Sequence, residues 1–235
     1  MVPAMFAPFT FAGHEMLLGH GRALYWPAER TLLVADLHLE KASWFAQRGS
    51  LLPPYDSRET LERLADAVQT TGARRVITLG DNFHDNAGAL RLDAHCTGML
   101  EALTRVVDWV WITGNHDEKL PNGFGGTILP ELEVGSVILR HEARAGETAP
   151  ELSGHYHPKI RMTVRNRHIA RPCAVLACGG AGAERMILPA FGTLTGGMDA
   201  SAPEIRAALQ PTRRIEALMP ARGQIARFAL WRAAA

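Results

Sequence analysis

The chain has 235 residues, of which 47% are hydrophobic and 21% charged, and its formal net charge at pH 7 is +1. This length suits one large domain with a buried core or two small ones, and the composition is that of an ordinary globular protein. A net charge so close to zero excludes any argument from overall electrostatics for a nucleic-acid or membrane partner, so such an argument has to be local.

The cysteines and the apolar runs indicate a cytoplasmic protein. The three cysteines lack the paired spacing of a metal knuckle, so we expect small core residues in a reducing compartment. Residues 1–10 are apolar, but no basic segment precedes them and His14 and Glu15 follow soon after, which predicts that they are not a secretory signal. Apolar runs of about five to seven residues are far shorter than the roughly 20 that cross a bilayer, so we expect no membrane segment.

The predicted elements alternate between strand and helix in the first half of the chain and are mostly strands in the second half. This rhythm, with strands that run directly into polar residues, is typical of an α/β protein. Glycine- and proline-rich links join the later strands, but we find no repeat, low-complexity segment or domain linker, so we expect a single domain over residues 1–235. In chain order the strands are predicted at residues 24–26, 31–35, 75–79, 106–113, 134–139, 151–154, 160–164, 174–177, 186–191 and 213–218.

Two helices are predicted between the early strands. The first has apolar residues at the i, i+3, i+4, i+7 spacing and is expected to end at Gly72. Asp56 is expected to be its N-cap, with Glu59 three residues later completing a capping box. The second helix is predicted over about residues 90–104.

Five short polar segments carry ligands suited to divalent metals, and three of them directly follow predicted strands. Carboxylate oxygens, amide oxygens and imidazoles suit hard or borderline divalent cations, and none of the segments offers a thiolate. Sites in α/β folds gather at the carboxyl ends of strands, so we expect the segments to converge. They are Asp36-Leu37-His38, Gly80-Asp81-Asn82, Gly114-Asn115-His116-Asp117, His141 and Gly154-His155-Tyr156-His157.

Together these segments offer seven oxygen and nitrogen ligands and one further histidine, which is the inventory of a two-metal site for attack on phosphorus. Each segment alone has an ordinary explanation as a turn, a cap or a hydrogen-bonded histidine, so the weight lies in the joint pattern. Asp36 and His38 are spaced to bind one metal together, and the two oxygens of Asp81 allow it to bridge two cations. The other predicted ligands are Asn115, His141, His155 and His157.

Residues 32–157, which contain these segments, resemble the calcineurin-like metallophosphoesterase superfamily. The resemblance implies an α/β fold in which a two-sheet β-sandwich, flanked by α-helices, carries the segments on loops at one edge. It also implies that His116 is the unligated catalytic histidine beside the scissile phosphate. The implied first metal site consists of Asp36, His38, Asp81 and His157, and the second of Asp81, Asn115, His141 and His155.

The expected mechanism is in-line attack on phosphorus by a metal-bridging hydroxide, because two cations about 3.5–4 Å apart acidify a shared water. His116 is expected to protonate the leaving oxygen or to stabilise it as imidazolium. Asp117 would either orient His116 or cap the following turn. His84 would either reach the pocket rim or form a loop hydrogen bond, and Arg140 would either touch phosphate or be an exposed strand residue.

A narrower resemblance is to the bacterial ligase-associated DNA damage response phosphoesterases, the PdeM endonuclease group. It implies a manganese-dependent phosphodiesterase that cleaves DNA, single-stranded DNA being favoured, in a repair setting with a DNA ligase, a helicase and an exonuclease-like protein. By ligand type alone, Fe²⁺, Zn²⁺, Ni²⁺ and Co²⁺ also suit the two predicted positions. The segments that carry this resemblance are residues 23–27, 36–41, 52–56, 79–85, 140–142 and 188–192.

Two features bear on the substrate. Lys159, Arg161 and Arg165 alternate with apolar residues along one predicted strand, and Arg167 and Arg171 are expected to continue this basic face, which would suit a polyanion. The alternative is an ordinary solvated strand. The aromatic side chains of Trp44 and Phe45 would either stack on a base or pack as core or lid.

Two other functions remain open at this stage. One is a phosphatase or pyrophosphatase that acts on a small nucleotide or a phosphomonoester, although the short glycine- and proline-rich stretch between Asp117 and His141 argues against a lipid substrate. The other is a metal-bound scaffold without activity, against which the complete set of ligands and His116 argues.

Overall fold

The structure is a computed structural model that describes residues 6–120, 123–179 and 183–233. In these ranges the helices are α1 (Lys41–Ala46), α2 (Asp56–Thr71), α3 (Ala94–Val106) and α4 (Pro203–Ala208), with a 3₁₀ helix at Gly88–Arg91. The strands are β1 (Phe6–Phe11), β2 (His14–Gly19), β3 (Leu24–Trp26), β4 (Thr31–Val34), β5 (Arg75–Leu79), β6 (Asp108–Ile112), β7 (Thr127–Leu129), β8 (Glu131–Val134), β9 (Val137–Arg140), β10 (Glu151–Ser153), β11 (Lys159–Val164), β12 (Arg167–Pro172), β13 (Ala174–Cys178), β14 (Arg185–Ile187), β15 (Arg214–Ala221) and β16 (Gln224–Arg232).

Two mixed sheets of seven strands form the body of the protein. The first sheet has the order β1-β2-β3-β4-β5-β6-β7, antiparallel from β1 to β4 and parallel from β4 to β7. The second has the order β16-β15-β13-β14-β10-β9-β8, with β14, β10 and β9 parallel to one another. Strands β11 and β12 form a separate antiparallel hairpin. This arrangement confirms the predicted α/β two-sheet fold.

The parallel strands β4, β5 and β6 of the first sheet are buried on both faces. Leu33, Ile77 and Val110 belong to a core cluster that also contains residues of the second sheet, such as Leu152 and Leu176. Their chain neighbours point to the other face, because successive side chains of a strand alternate. Those neighbours pack against the apolar residues of α2 and α3, while α4 covers the second sheet. Burial on both faces explains why these strands appear in the sequence as short continuous apolar runs.

The first predicted helix is correct in extent but not in its cap. Gly72 ends α2 in a left-handed conformation with φ of 64°, as expected. The N-cap, however, is Tyr55, and Asp56 is the first helical residue, so the predicted capping box is wrong. The Asp56 carboxylate instead accepts a hydrogen bond of 3.0 Å from the Ala42 amide and ties α2 to α1.

Two other predicted elements are divided in the structure. The strand predicted at 134–139 is a hairpin in which Gly135 and Ser136 turn the chain with positive φ values of 52° and 65°. The helix predicted at 90–104 consists of the 3₁₀ helix and α3, separated at Asp93. The Asp93 carboxylate caps α3 by accepting a 2.8 Å hydrogen bond from the Cys96 amide.

All five polar segments follow the carboxyl ends of strands. They come after β4, β5, β6, β9 and β10, where the sequence had predicted this for three. Because β4 to β6 are parallel, as are β9 and β10, the two sheets bring these five ends to one edge of the sandwich.

No helix in the described residues is long and apolar enough to span a membrane.

Candidate metal centre

Two groups of side chains meet at this edge and share one carboxylate. The first, called the enclosed group, consists of Asp36, His38, Asp81 and His157. The Nε2 atom of His38 lies 3.1 Å from Nε2 of His157 and 3.5 Å from Oδ2 of Asp81. The Nε2 atom of His157 lies 3.5 Å from Oδ1 of Asp36.

The second group, called the open group, consists of Asp81, Asn115, His141 and His155. The Nε2 atom of His141 lies 2.9 Å from Oδ1 of Asn115 and 3.4 Å from Oδ1 of Asp81. The Nδ1 atom of His155 lies 3.0 Å from the same Asn115 oxygen. Asp81 therefore turns one oxygen to each group, as a bridging carboxylate would.

These separations fit a shared cation. Around one ion with bonds of about 2.1 Å, neighbouring ligand atoms lie about 3.0 Å apart in octahedral and about 3.4 Å apart in tetrahedral geometry. The separations in the two groups run from 2.9 to 3.5 Å. The carbonyl of Leu79 lies 3.0 Å from Nδ1 of His141, which leaves Nε2 of that ring to face a metal. The residues present therefore fit two divalent ions.

Burial favours the neutral form of His38 and His155, which is the form that binds metal. Desolvation lowers the pKa of His38 far below its usual range. It also lowers the pKa of His155, to which the neighbouring His141 adds. An uncharged ring keeps a lone pair for a cation, so the burial that disfavours imidazolium favours metal binding.

The backbone at these residues is held in an uncommon conformation. Asp36, His38, Asp81, His155 and His157 all have positive φ, between 45° and 72°. Left-handed φ is unfavourable for residues other than glycine, and such strain concentrates at functional sites. Five of the seven predicted ligands are thus turned out of their strands by the same kind of bend.

Two glycines let the sheets approach each other here. A Cβ atom on Gly80 would overlap the ring of His141, and Gly80 also has a positive φ of 77°. A Cβ atom on Gly154 would lie 2.7 Å from Oδ2 of Asp36. Each glycine therefore makes room for a predicted ligand from the opposite sheet.

His116 lies beside the shared carboxylate and belongs to neither group. Its Nε2 atom is 4.0 Å from Oδ2 of Asp81, and its backbone amide donates a 3.0 Å hydrogen bond to Oδ1 of the same residue. Its Nδ1 atom lies 2.8 Å from the backbone carbonyl of His84. The ring is 39% exposed, so a substrate can reach it.

A family model of the calcineurin-like phosphoesterases matches residues 29–165, which is more than half of the chain. The chain belongs to this family. It is therefore a metal-dependent phosphoesterase. A search of the curated proteins found no match. Among solved structures, the phosphoesterase is similar to the nuclease MPE of Pseudomonas putida, with 26% identity and a TM-score of 0.70 over 95% of this chain and 100% of that one.

Asp117 of the phosphoesterase binds backbone amides. Its carboxylate accepts hydrogen bonds from the amides of Asn82 at 2.6 Å, Phe83 at 3.1 Å and Gly114 at 2.9 Å. The partner of the His116 Nδ1 atom is the His84 carbonyl, and the three amides precede Asp117 in the chain, so Asp117 neither orients His116 through Nδ1 nor caps the following turn. Desolvation raises the pKa of Asp117. This residue holds together the loops that follow β5 and β6.

His84 lies behind the site, not at its rim. The residue is 8% exposed, and its Nδ1 atom is 3.2 Å from Nδ1 of His38. Its ring stacks on that of His116, with 5.0 Å between centroids. Burial lowers its pKa to about 4, so the ring is neutral near pH 7. No sequence pattern indicates the contact with His38, because this contact depends on how two loops pack.

The prediction for Arg140 is wrong in both of its forms. The residue is 5% exposed, and its guanidinium is held by Glu131 at 3.3 Å, Glu147 at 3.2 Å and Glu151 at 2.8 Å. A buried charge has to be paired, and these carboxylates take up the donors that phosphate would need. Arg161 remains exposed, with Nε 3.6 Å from Oδ2 of Asp199.

The prediction of one continuous basic face on β11 and β12 is also wrong. Residues opposite each other in an antiparallel pair share a face. Arg171 pairs with Ile160 and Arg167 with Val164, whereas Arg161 pairs with Ala170. Arg167 and Arg171 therefore lie on the face opposite to that of Arg161.

The aromatic residues after the first segment pack on His84. Trp44 meets the His84 ring edge-on at 4.9 Å, and Phe45 stacks on it at 6.2 Å. The guanidinium of Arg48 covers Trp44 at 3.6 Å from the ring centre. A base would have to displace Arg48 to stack on this face.

Glu142 is a neighbour of the open group whose contact the sequence did not reveal. One of its oxygens lies 3.8 Å from Nε2 of His155 and accepts a 3.2 Å hydrogen bond from the Tyr156 hydroxyl. It also lines a cavity of about 630 Å³ beside the metal centre, together with His157 and Glu204. This side of the phosphoesterase site is therefore acidic.

Proposed function

We propose that this phosphoesterase is a nuclease that hydrolyses phosphodiester bonds in DNA. The observation that carries the proposal is the similarity to nuclease MPE, which extends over nearly all of both chains. The resemblance of residues 36–41 and 79–85 to the ligase-associated group supports a role in DNA repair. A DNA ligase, a helicase and an exonuclease-like protein are the functional partners that this resemblance suggests.

In this proposal the enclosed group and the open group each hold one divalent cation, with Asp81 shared between them. Two such cations, when bound, would supply an acidified water as the nucleophile and neutralise charge on the phosphoryl oxygens. Manganese is the proposed metal because the resemblance to the ligase-associated group implies it. The donors are compatible with manganese, since all are oxygen or imidazole nitrogen and the buried cysteines lie outside both groups. The same donors accept Fe²⁺, Zn²⁺, Ni²⁺ or Co²⁺.

His116 is the proposed general acid. The His84 carbonyl accepts a hydrogen bond from Nδ1, so Nε2 is the atom that holds the proton for the leaving oxygen. Nε2 lies 4.0 Å from the carboxylate of Asp81 that the two groups share, and this closeness supports a role for the atom in proton transfer to the leaving oxygen. Burial lowers the pKa of His84 to about 4, so this ring adds no positive charge beside the ring of His116 near pH 7.

A paired assay tests this function. The protein, stripped with a chelator and reloaded with each metal in turn, is given linear and circular DNA in single- and double-stranded form. The same preparations are given an aryl phosphodiester and an aryl phosphomonoester. The proposal expects cleavage of DNA and of the diester, greatest with manganese, and cleavage of circular DNA marks endonuclease action. Activity on the monoester alone would overturn the nuclease in favour of a phosphatase, and a fully metal-loaded protein inactive on every substrate would favour a scaffold.

A further inference from the structure

Positive charge is concentrated in the β11–β12 hairpin. Residues 159–172 contain five of the 25 lysines and arginines and no aspartate or glutamate. The whole chain has a formal net charge of +1, so the remainder carries −4. An anionic polymer is therefore attracted to this hairpin and repelled, on average, by the rest of the molecule.

The hairpin leaves the body of the protein beside the metal centre. Strand β11 begins two residues after His157, a member of the enclosed group. The base of the hairpin is fixed, because Ile160 is buried in the core and the backbone of Lys159 forms an isolated β-bridge with that of Asp199. Six residues of extended chain reach roughly 20 Å, which places the tip several nucleotides from the metal ligands.

The arginines of the hairpin are available to a ligand. Arg165, Arg167 and Arg171 are exposed, and no carboxylate of the described residues lies within 4 Å of them. They lie at the tip and on one face, while Arg161 and His168 lie on the other face around a cavity of about 380 Å³. Both faces can thus contact phosphates.

We propose that the β11–β12 hairpin is an arm that binds the phosphates of single-stranded DNA and feeds the strand to the metal centre. This inference rests on the proposed nuclease function and names the surface that serves it. Residues 159–172 contain no phenylalanine, tyrosine or tryptophan on which bases could stack, so the arm binds charge and not sequence.

A single strand fits the charge distribution better than a duplex. Glu142 and Glu204 line the cavity beside the open group, so an anionic strand has to pass from the hairpin to the metals while avoiding them. A flexible single strand can bend in this way, whereas duplex DNA is stiff over about 150 base pairs. Double-stranded DNA is the alternative that the experiment includes.

The first experiment measures the salt dependence of binding. Fluorescence anisotropy follows a labelled oligothymidylate on the full-length, metal-loaded protein, with His116→Ala in every sample so that cleavage is slow. For single strands, the slope of log affinity against log salt is about 0.7 per phosphate contact. The variant with Arg165→Gln, Arg167→Gln and Arg171→Gln should lower the slope by about 2 and the affinity by roughly two orders of magnitude near 0.1 M salt.

A matched variant controls for the change in net charge. Arg74→Gln, Arg105→Gln and Arg222→Gln remove three exposed arginines that lie outside the hairpin. This variant should keep the wild-type slope and lose less than about twofold in affinity, because the removed charges contact no phosphate. Equal losses in both triple variants would overturn the arm, since overall charge alone would then explain them.

A second pair of variants separates charge from folding. Arg165 and Arg222 both occupy two-residue hairpin turns with positive φ, 48° and 51°, where asparagine is well tolerated. Arg165→Asn should weaken DNA binding about fivefold without lowering the melting temperature. Arg222→Asn should change neither quantity.

The outcomes distinguish this inference from the proposed function. If the wild-type protein cleaves DNA but the hairpin variants bind and cleave it as the wild type does, the arm is wrong and the nuclease stands. If the wild type hydrolyses the aryl diester and neither binds nor cleaves any DNA, the nuclease and the arm are both wrong. Tighter binding of duplex than of single-stranded DNA, lost in the same variants, would overturn the choice of the single strand.

Discussion

The enclosed and open groups share one carboxylate but differ in their access to solvent. In the enclosed group the side chains of Asp36, His38 and His157 are 0%, 3% and 15% exposed. In the open group Asn115 is exposed and the side chain of His155 is 29% exposed, next to the acidic cavity. This difference in exposure supports a division of roles in the proposed function, in which the enclosed group retains its cation and the open group meets the substrate.

The largest effect is expected at the residue that the two groups share. Asp81→Ala should reduce the metal content from two ions per chain to fewer than one and lower phosphodiesterase activity by at least about 10³-fold. Metal analysis after gel filtration and hydrolysis of an aryl diester measure both effects. Asp81→Asn is the matched control, because it keeps an oxygen for the His116 amide without the charge. Retention of both ions by Asp81→Ala would show that the groups are independent.

His116→Ala should separate catalysis from metal binding. We expect both ions to remain and the rate on a diester with a poor leaving group to fall by about 10²- to 10⁴-fold, since the proton donor is lost. With a good leaving group the loss should be smaller, because little protonation is needed. His116→Gln, which keeps hydrogen bonding without acid catalysis, should behave like the alanine variant. A near-native rate on the poor leaving group would assign the acid elsewhere.

Loss of metal should occur in two phases if the groups differ as their exposure indicates. A mild chelator should remove one ion quickly from the open group and the second slowly from the enclosed group. His155→Ala should abolish the fast phase, and His157→Ala the slow one, each weakening its own ion by about 10- to 100-fold or more. A single phase in the wild type, or the same phase lost in both variants, would show that the two groups do not differ in how tightly they hold a cation.

The smallest effect should come from a residue far from both groups. Asp93→Ala removes the cap of α3 and should lower the free energy of unfolding by about 1 kcal/mol with metal content unchanged. The hydrogen bond from the Cys96 amide lowers the pKa of Asp93. A lowered carboxyl pKa stabilises the fold at pH values above the pKa of the unfolded state. The difference in unfolding free energy between wild type and variant should therefore shrink as the pH falls toward the pKa of the folded state. Chemical denaturation at several pH values measures it, and Asp93→Asn, which still caps, should cost less.

The sequence predicted strands β4, β5 and β6 and the ligand segments because one local signal marks both. A run such as Leu32-Leu33-Val34 is buried on both faces, and the polar residue that ends it lies at the sheet edge. The strand residues are apolar because they are buried, and the residues that follow the strand are polar because they belong to the candidate metal centre. The assignment of each ligand to a metal position stays a prediction, which the separations in the two groups support.

The failures have a different origin, in contacts between distant parts of the chain. Arg140 was misjudged because charged strand residues are usually exposed, while its partner Glu131 lies nine positions earlier on a neighbouring strand and Glu151 on another. Aspartate is a residue type typical of helix caps, but the carboxylate of Asp56 accepts its hydrogen bond from the Ala42 amide. Local pattern gives the type of an element, whereas the partner of a buried polar side chain is decided by packing.

Both sheets contribute to each group, since Asp36 and Asp81 follow strands of the first sheet and His141 and His157 follow strands of the second. A cation bound in either group would therefore link the two sheets at this edge of the sandwich. Removal of the ions should loosen this edge before any other part of the fold, so that protease cleavage and amide exchange in residues 36–38 and 154–157 would report the loading of the enzyme. In a cell, scarcity of metal would then shorten the lifetime of the protein as well as abolish its activity.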